Sequence, residues 1–291
     1  MFETLEITNI FEDYKQTIIY ALEQLNDGYT NETISIIENI KNEIIDKNNA
    51  LINKSEHILN EYYVFRSYID FLIEYCKIWK LLKIYKFSES WDILQNTMDI
   101  LRILKKFTNH KKEKQICFFE NQLINLEKLY PYDVFVSIGA MVDYFECSIC
   151  GQDIDSMDCP HLKGELYNGV MAIAVAKNLV SLDHVALVKH PIDKRCVIQY
   201  EDSSEHFRII RYLAELINEK KFKPFYFGEL KFSTKVVINT DYKTIGRNKK
   251  CFCGSGKKFK QCCIEKKTIE SEHIDIVGKP INIRKLFNDS M

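Results

Sequence analysis

Four cysteines and three lysines surround a Gly-Ser-Gly near the end of this 291-residue chain, in CFCGSGKKFKQCC at 251–263. Residues of these types can bind a metal, perform redox chemistry or, through the glycines and a lysine, hold a phosphate. A phosphate loop anchored on Gly256 and Lys257 would require glycine at 251 and Ser or Thr at 258. Cys251 and Lys258 occupy those positions, so the phosphate-loop hypothesis fails.

The four thiols of this stretch suit a metal better than a disulfide. Adjacent Cys262 and Cys263 cannot close an ordinary unstrained bridge. The spacing C-x-C-x8-C-C lets a tight turn present two thiolates and a short helical turn present two more, as a tetrahedral zinc site requires. A segment of about 20 residues cannot bury a core, and zinc binding worth roughly 10–16 kcal/mol can order it. The expected ligands are Cys251, Cys253, Cys262 and Cys263.

The segment GRNKKCFCGSGKKFKQCC at 246–263 resembles the SEC-C motif, a zinc-binding module. This module ends many copies of the SecA translocation ATPase and recurs at the ends of otherwise unrelated bacterial proteins. The resemblance implies that the same four cysteines are the ligands. It also implies docking on an acidic chaperone surface and a position near ribosomes. Two residues depart from the family pattern without being ligands: Lys250 stands where proline is common, and Ile264 where glycine usually follows.

The surroundings of this motif are strongly basic, although the chain as a whole carries 40 basic and 41 acidic residues. Nine Lys or Arg and one acidic residue lie between positions 243 and 267. This charge can bind an acidic protein partner, bind RNA or DNA phosphate with exposed phenylalanines stacking on bases, or simply balance the zinc thiolates as a solvated shell. The candidate partner-binding residues are Arg247, Lys250, Phe252, Lys257, Lys258, Phe259 and Lys260.

A second ligand set has the spacing C-x2-C-x8-C-x-H and consists of Cys147, Cys150, Cys159 and His161. A C-x2-C pair on a tight turn directs two thiolates at one ion, and a second pair completes a tetrahedron. Gly151, directly after the first pair, suits the backbone of such a turn. A complete set leaves no open coordination position, so a structural zinc is expected. With the first motif, this gives two Zn²⁺ per chain.

Two alternatives for the second ligand set stay open at the level of sequence. Cys147 and Cys150 can be a thioredoxin-like redox pair, although the nearby Cys159 and His161 favour zinc. If His161 is not a ligand, three cysteines and a water leave an open position. Other side chains can then be drawn in: His184, His190 and Asp193.

The elements that must position these clusters differ along the chain. Residues 1–130 contain no proline and one glycine, with apolar residues at helical spacing, which predicts four to six helices in a bundle or helical-hairpin array. Breaks between helices are expected at Asp27-Gly28 and at Phe107-Thr108-Asn109. Beyond Pro131 the pattern changes to short β-rich runs, DVFVSI, GVMAIAVA, HVALV and RCVIQY.

One helix is expected within this β-rich region. It would start with a capping box at 202–205 and bury Phe207, Ile210, Leu213 and Ile217 on one face. After it, PFYFGELKFSTKVVI predicts two more strands. The expected class is therefore α+β and multidomain: an all-α N-terminal domain at 1–130, a small zinc-stabilised α+β domain at 131–240, a SEC-C zinc knuckle at 246–267 and a C-terminal extension at 268–291.

The leading functional hypothesis is a zinc-dependent, non-catalytic interaction or adaptor protein of the bacterial cytoplasm. The longest uncharged apolar run, GVMAIAVA, has eight residues, against about 20 for a membrane span, so membrane insertion is not expected. One alternative is a metal-dependent hydrolase or nuclease of bacterial defence or phage biology, with its site in 131–240. For that site the sequence offers only scattered acids and histidines: Asp183, His184, His190, Asp193 and Glu205. The other alternative is a nucleic-acid-binding adaptor.

Overall fold

A computed structural model describes residues 8–49, 55–108, 113–238, 246–251, 255–266 and 268–288. By its internal contacts the chain forms two compact units. Unit 1 comprises Met1–Gly228 and Lys279–Met291, and unit 2 comprises Glu229–Gly278. The chain therefore leaves unit 1 once and returns to it at the C-terminal end.

Five helices make up the described part of the N-terminal region: α1 (Thr8–Asp27), α2 (Thr30–Asn49), α3 (Glu56–Lys83), α4 (Phe87–Phe107) and α5 (Lys114–Glu127). Each helix packs against the next one along the chain, and α1 also contacts α3. At the first break, Gly28 has φ +100°, a left-handed conformation that glycine adopts without steric cost. The predicted helical region is confirmed, with one helix ending at Asp27 and another at Phe107; Asn109 of the second break lies outside the described residues.

The core of unit 1 is centred on α3. The Tyr75 ring lies 4.8 Å from Phe119 and 6.2 Å from Phe225, measured between centroids. The Tyr75 hydroxyl donates to Gln122 Oε1 at 2.5 Å, so the buried polar group is satisfied. Large aromatic side chains dominate the energetics of a core. The helices are therefore a packed scaffold on which later segments can be positioned.

The composition change at Pro131 does not divide the chain, because residues beyond it pack on α4. The Trp91 ring packs against the tilted ring of Tyr132 with centroids 4.9 Å apart, and its Nε1 donates to the Lys194 carbonyl at 2.9 Å. These contacts bury the aromatic surface of α4. They place the residues after Pro131 in the same compact unit as the helices, which differs from the expected boundary between residues 130 and 131.

The remaining elements are β1 (Phe135–Cys147), β2 (Leu166–Tyr167), β3 (Val170–Met171), β4 (Ala174–Val188), α6 (Arg208–Asn218), β5 (Phe227–Ile238), β6 (Thr268–Gly278) and α7 (Ile283–Asn288). β1 pairs antiparallel with β4, β2 pairs antiparallel with β3, and β5 pairs with β6. The chain is thus mixed α+β with an N-terminal helical region. In the described part of the chain, no helix is long and apolar enough to cross a membrane.

Two strand predictions were wrong in detail. The run RCVIQY forms an isolated bridge between Val197 and Phe135 and not a strand. The first residue of this run makes a different contact, because the Arg195 guanidinium donates a hydrogen bond to the Asp193 carboxylate at 2.8 Å. The run PFYFGELKFSTKVVI forms a 3-10 turn, Pro224–Tyr226, followed by the single strand β5.

The predicted helix is present as α6, preceded by a 3-10 turn at Glu205–Phe207. Its four apolar residues are buried as expected. The capping box is not formed, because Asp202 Oδ1 accepts a hydrogen bond from the Ser88 backbone N–H at 2.9 Å. Ser204 caps the turn instead, accepting from the His206 N–H.

The C-terminal extension is shared between the two units. Its first part is β6, the partner of β5 in unit 2. Its second part, α7, packs on α1 in unit 1, where Phe287 is fully buried and stacks on Phe11 at 6.3 Å. Arg284 donates to Glu23 at 2.8 Å across the same contact.

Candidate metal centres

The first cluster begins where β1 ends, at Cys147. The Cys147 N–H donates to the Gln152 carbonyl at 2.7 Å, and the Gly151 N–H donates to the Cys147 carbonyl at 2.9 Å. Gly151 has φ +75°, in the left-handed region that favours glycine. These bonds close a tight turn that carries Cys147 and Cys150 to the same place.

The structure brings together the four side chains that the spacing indicated. Cys147 Sγ lies 3.6 Å from His161 Nδ1, Cys150 Sγ lies 3.6 Å from Cys159 Sγ, and Cys159 Sγ lies 4.0 Å from His161 Nδ1. All four ligand atoms lie within 4.8 Å of one another. His161, the least certain member from sequence, is therefore part of the cluster.

These distances can be compared with those around a zinc ion. Bonds of about 2.3 Å to sulfur and 2.0–2.1 Å to nitrogen at tetrahedral angles put two sulfurs about 3.8 Å apart, and a sulfur and a nitrogen about 3.6 Å apart. The four groups already have nearly this spacing. The donor set of three thiols and one imidazole is also one that structural zinc uses. The cluster therefore fits a metal ion, and the zinc-ligand roles stay predictions.

The thiols of this cluster have shifted acidities. Burial opposes ionisation of Cys147, but hydrogen bonds from the backbone N–H groups of Cys150 and Ile149 outweigh it and lower the pKa of Cys147. Desolvation raises the pKa of Cys159, and the neighbouring thiols of Cys150 and Cys147 add to the rise. Ionisation of Cys147 is therefore favoured relative to a free thiol, and ionisation of Cys159 is disfavoured. A bound metal ion would favour the ionised form of both thiols, because metal ligands must be deprotonated.

Tyr167 of β2 holds the histidine side of the cluster. Its ring packs edge-on against His161, with centroids 4.7 Å apart, and its hydroxyl accepts a hydrogen bond from the Leu162 N–H at 2.8 Å. Both contacts limit the freedom of the segment that carries His161. Sequence reasoning missed Tyr167, although the neighbouring Asn-Gly dipeptide is a strong hairpin signal that could have marked it.

The hairpin of β2 and β3 docks on the helices of unit 1. At its turn the Gly169 N–H donates to Asn60 Oδ1 of α3 at 2.7 Å. A Cβ at Gly169, where φ is +77°, would lie 2.9 Å from the Leu59 carbonyl oxygen, so only glycine permits this approach. Lys106 of α4 pairs with Glu165 at 2.7 Å. The first cluster is thus attached to a packed helical scaffold.

The second cluster is built on two paired segments of unit 2. The Cys251 N–H donates to the Lys257 carbonyl and the Phe259 N–H to the Lys249 carbonyl, both at 2.8 Å. The predicted short helical turn is present as a 3-10 turn, Phe259–Gln261, which leads into the vicinal cysteines. Gly256 has φ +72° where the chain reverses.

Three thiols meet in this cluster: Cys251, Cys262 and Cys263 have sulfurs within 4.8 Å of one another. The two vicinal sulfurs are 3.7 Å apart, close to the tetrahedral spacing of about 3.8 Å. Phe252 and Cys253 lie outside the described residues, so the fourth ligand and one of the two phenylalanines of the expected binding tip stay predictions.

The expectation that Phe259 is exposed was wrong. Phe259 is fully buried against Cys251 and Cys263, with Ile264 packed on the same cluster. A module this small has little apolar material, and the ring supplies the apolar core that thiols alone cannot. Phe259 therefore stabilises the module and does not present a stacking surface.

The basic candidates of the same module are all exposed: Arg247, Lys250, Lys257, Lys258 and Lys260. Lys250 and Lys258 face each other in an isolated antiparallel bridge. The Lys260 N–H donates to the Arg247 carbonyl at 3.0 Å. The backbone pairing that gathers the thiols therefore also gathers the cations along two adjacent segments.

The residues proposed for a hydrolase site do not gather into a cluster of possible metal ligands. Within the described residues, groups of three or more ligand atoms gather only in the two cysteine clusters. Asp193 accepts hydrogen bonds from Arg195, which lower the pKa of its carboxyl. His184 contacts its neighbour Asp183 at 3.0 Å on an exposed strand. These residues, with His190, are not drawn into the first cluster.

The fold and the clusters together define an α+β protein with two cysteine-rich sites able to hold metal ions. The second of these belongs to a known module, since the family model of the SEC-C motif matches residues 247–265. The resemblance is confirmed over those residues, and no other family is recognised. No curated protein and no solved structure matches the chain.

Proposed function

We propose that this chain is a zinc-binding, non-catalytic interaction protein whose SEC-C module recruits an acidic protein partner. The observation that carries the proposal is the backbone pairing of two basic segments around a buried thiol cluster. The Cys251–Lys257 and Phe259–Lys249 hydrogen bonds create one module with a thiol interior and a cationic exterior. Zinc at both clusters orders the segments that carry them.

The charge of the module favours a partner over a solvated shell. Residues 246–266 carry seven Lys or Arg and one acidic residue. Four thiolates around Zn²⁺ have a charge of about −2, which leaves a surplus of about four positive charges. Lys250 and Lys258 lie directly opposite each other, and like charges in that arrangement are destabilising. An acidic surface would neutralise the surplus and relieve this repulsion.

The burial of Phe259 favours a protein over a nucleic acid. Binding of single strands combines cationic contacts with aromatic side chains on which bases stack. Phe259 is fully buried and is withdrawn from that role. Complementary charge alone suffices for an acidic protein surface, where it governs association rate and specificity.

The metal content tests the first half of the proposal. Elemental analysis of the purified chain should give two zinc ions per chain. Cys150→Ser and Cys262→Ser should each remove one, because each takes a thiol from a different cluster. Cys196→Ser is the matched control, since Cys196 is exposed, belongs to neither cluster and should leave two zinc ions. A wild-type value of one or zero contradicts the two-site proposal.

Charge reversal tests the second half. Lys257→Glu, Lys258→Glu and Lys260→Glu together should abolish capture of the partner from the native host while both zinc ions are retained. The control carries the same change of charge at exposed lysines elsewhere, Lys80→Glu, Lys220→Glu and Lys279→Glu. Undiminished capture by the first variant contradicts the proposed surface. Captured nucleic acid whose binding falls steeply with salt would favour the adaptor alternative instead.

A further inference from the structure

The longest strands of unit 1 form a ribbon with little else attached. β1 has 13 residues and β4 has 15, and they pair with each other alone. In the described part of the chain, the further β contacts of the ribbon are two isolated bridges near the ends of β1, from Phe135 to Val197 and from Glu146 to Asp153. A two-stranded ribbon is marginally stable in water unless one face is covered.

The register of the ribbon places six of its nine large exposed apolar side chains on one face. Cross-strand partners share a face, and Ile138 pairs with Val185, Ala140 with Leu182 and Val142 with Leu179. Two register shifts separate these pairs, and they leave Asp183 and Val180 as the extra residues of β4. Without the shifts, strict alternation would send Leu182 to the face opposite Val185 and Leu179. The bulges therefore preserve a single apolar face.

This apolar face is open to solvent. Its six large exposed members are Ile138, Val175, Leu179, Leu182, Val185 and Leu187, with exposures from 40% for Val175 to 70% for Val185. The opposite face is mixed: it carries Ser137 and His184 together with two exposed apolar side chains, Met141 and Phe145. The face of Ile138 and Leu182 is the more continuously apolar of the two, as expected for the buried face of a strand pair.

The charge on the face indicates which partner suits it. Glu146 and Lys177 lie at one end and form an ion pair at 2.8 Å, so they cancel. The rest of the face is apolar apart from the Tyr144 hydroxyl. A surface without net charge gives an acidic or basic partner no electrostatic advantage. A second copy of the same face is complementary to it in an isologous contact.

The size of the face is sufficient for such a contact. Six large apolar side chains at roughly 60–100 Å² each expose on the order of 500 Å², and their smaller neighbours extend the patch. That is at the upper end of the largest apolar patch on a monomer, about 300–600 Å². It is also most of the roughly 800 Å² that each partner contributes to a standard interface.

We propose that the apolar face of the β1–β4 ribbon is a homodimer interface, in which the ribbons of two copies pack face to face. The proposal concerns unit 1 and is independent of the SEC-C tip. It places two basic tips in one assembly, which would increase avidity for a partner with repeated acidic sites.

Sedimentation equilibrium of the zinc-loaded full chain tests the proposal. The wild type should have about twice the 34.3 kDa mass of the chain. Leu182→Glu with Val185→Glu should sediment as a monomer, because four charges per dimer would be buried without partners. Ser181→Glu with His184→Glu adds the same number of carboxylates to the opposite face of the same strand and should stay dimeric.

Each outcome of the sedimentation experiment either supports or contradicts the proposed homodimer interface. A monomeric wild type overturns the proposal, including the case in which a different protein is found bound to the ribbon. A dimer that persists in the Leu182 and Val185 variant places the interface elsewhere. If that variant fails to fold, as judged by circular dichroism and zinc content, Leu179→Ser keeps the test open, since a dimer constant unchanged from wild type would contradict the proposal.

Discussion

The two cysteine clusters have similar ligand spacings but different surroundings. The first lies at the end of a long strand, and its hairpin is hydrogen-bonded to Asn60 of a buried helix. The second lies in unit 2, where its local core consists of Phe259 with Cys251 and Cys263. The comparison indicates that a metal would reinforce the first segment but would supply most of the folding free energy of the second.

Energetics support this distinction. Ordering a residue costs about 1–2 kcal/mol of backbone entropy, so a segment of some 20 residues needs far more than one buried ring to fold. Structural zinc contributes roughly 10–16 kcal/mol in small modules. The hairpin of the first cluster has, in addition, two contacts with the helices of unit 1, from Gly169 to Asn60 and from Glu165 to Lys106.

Chelation should give the largest effect and should separate the two clusters. Removing zinc with a strong chelator should abolish hydrogen-exchange protection throughout residues 246–266, because the metal supplies most of their folding free energy. The 147–171 segment should lose protection near its cysteines but keep it at the Gly169 amide, which is bonded to Asn60. The helices of unit 1 should be unchanged and serve as the internal control. Equal loss of protection in both clusters would contradict the comparison.

The sequence allowed the helical region to be predicted, and also the gathering of the seven described side chains of the two proposed ligand sets, because both depend on local periodicity and spacing. The four groups from Cys147 to His161 lie within 15 residues, so no long-range contact is needed to group them. The role of Phe259 was not predictable in this way. Its burial depends on a 3-10 turn and a pairing with Lys249 that spacing alone does not show.

Features that depend on distant partners also escaped prediction. Asp202 has the spacing of a helix cap, but its carboxylate serves the start of α4, 114 residues earlier in the chain. The change in composition at Pro131 marks the end of the helices, but Trp91 packs across it. β5 and β6 lie on either side of the SEC-C segment in sequence, and composition carries no sign of their pairing.

Truncation of Phe259 should have the next largest effect and should be confined to unit 2. Phe259→Ala removes the fully buried ring of the local core, and such truncations cost about 3–5 kcal/mol. We expect zinc at the SEC-C cluster to bind roughly 100-fold or more weakly in chelator competition. Lys260→Ala, at an exposed neighbour, should leave the affinity unchanged. Equal affinities for Phe259→Ala and the wild type would show that the ring is not the core of the module.

Two glycines should give the smallest effects and test how firmly the first cluster is attached to unit 1. Gly169 and Gly151 have nearly the same φ, +77° and +75°. A Cβ added at Gly169 would lie 2.9 Å from the Leu59 carbonyl oxygen, whereas a Cβ added at Gly151 would have no atom within 4 Å. Gly151→Ala should therefore cost about 1 kcal/mol from backbone strain alone. Gly169→Ala should cost roughly 2–3 kcal/mol, because crowding against α3 is added. Urea unfolding followed through the tryptophans of unit 1 measures both, and equal losses would mean that the hairpin can leave α3 freely.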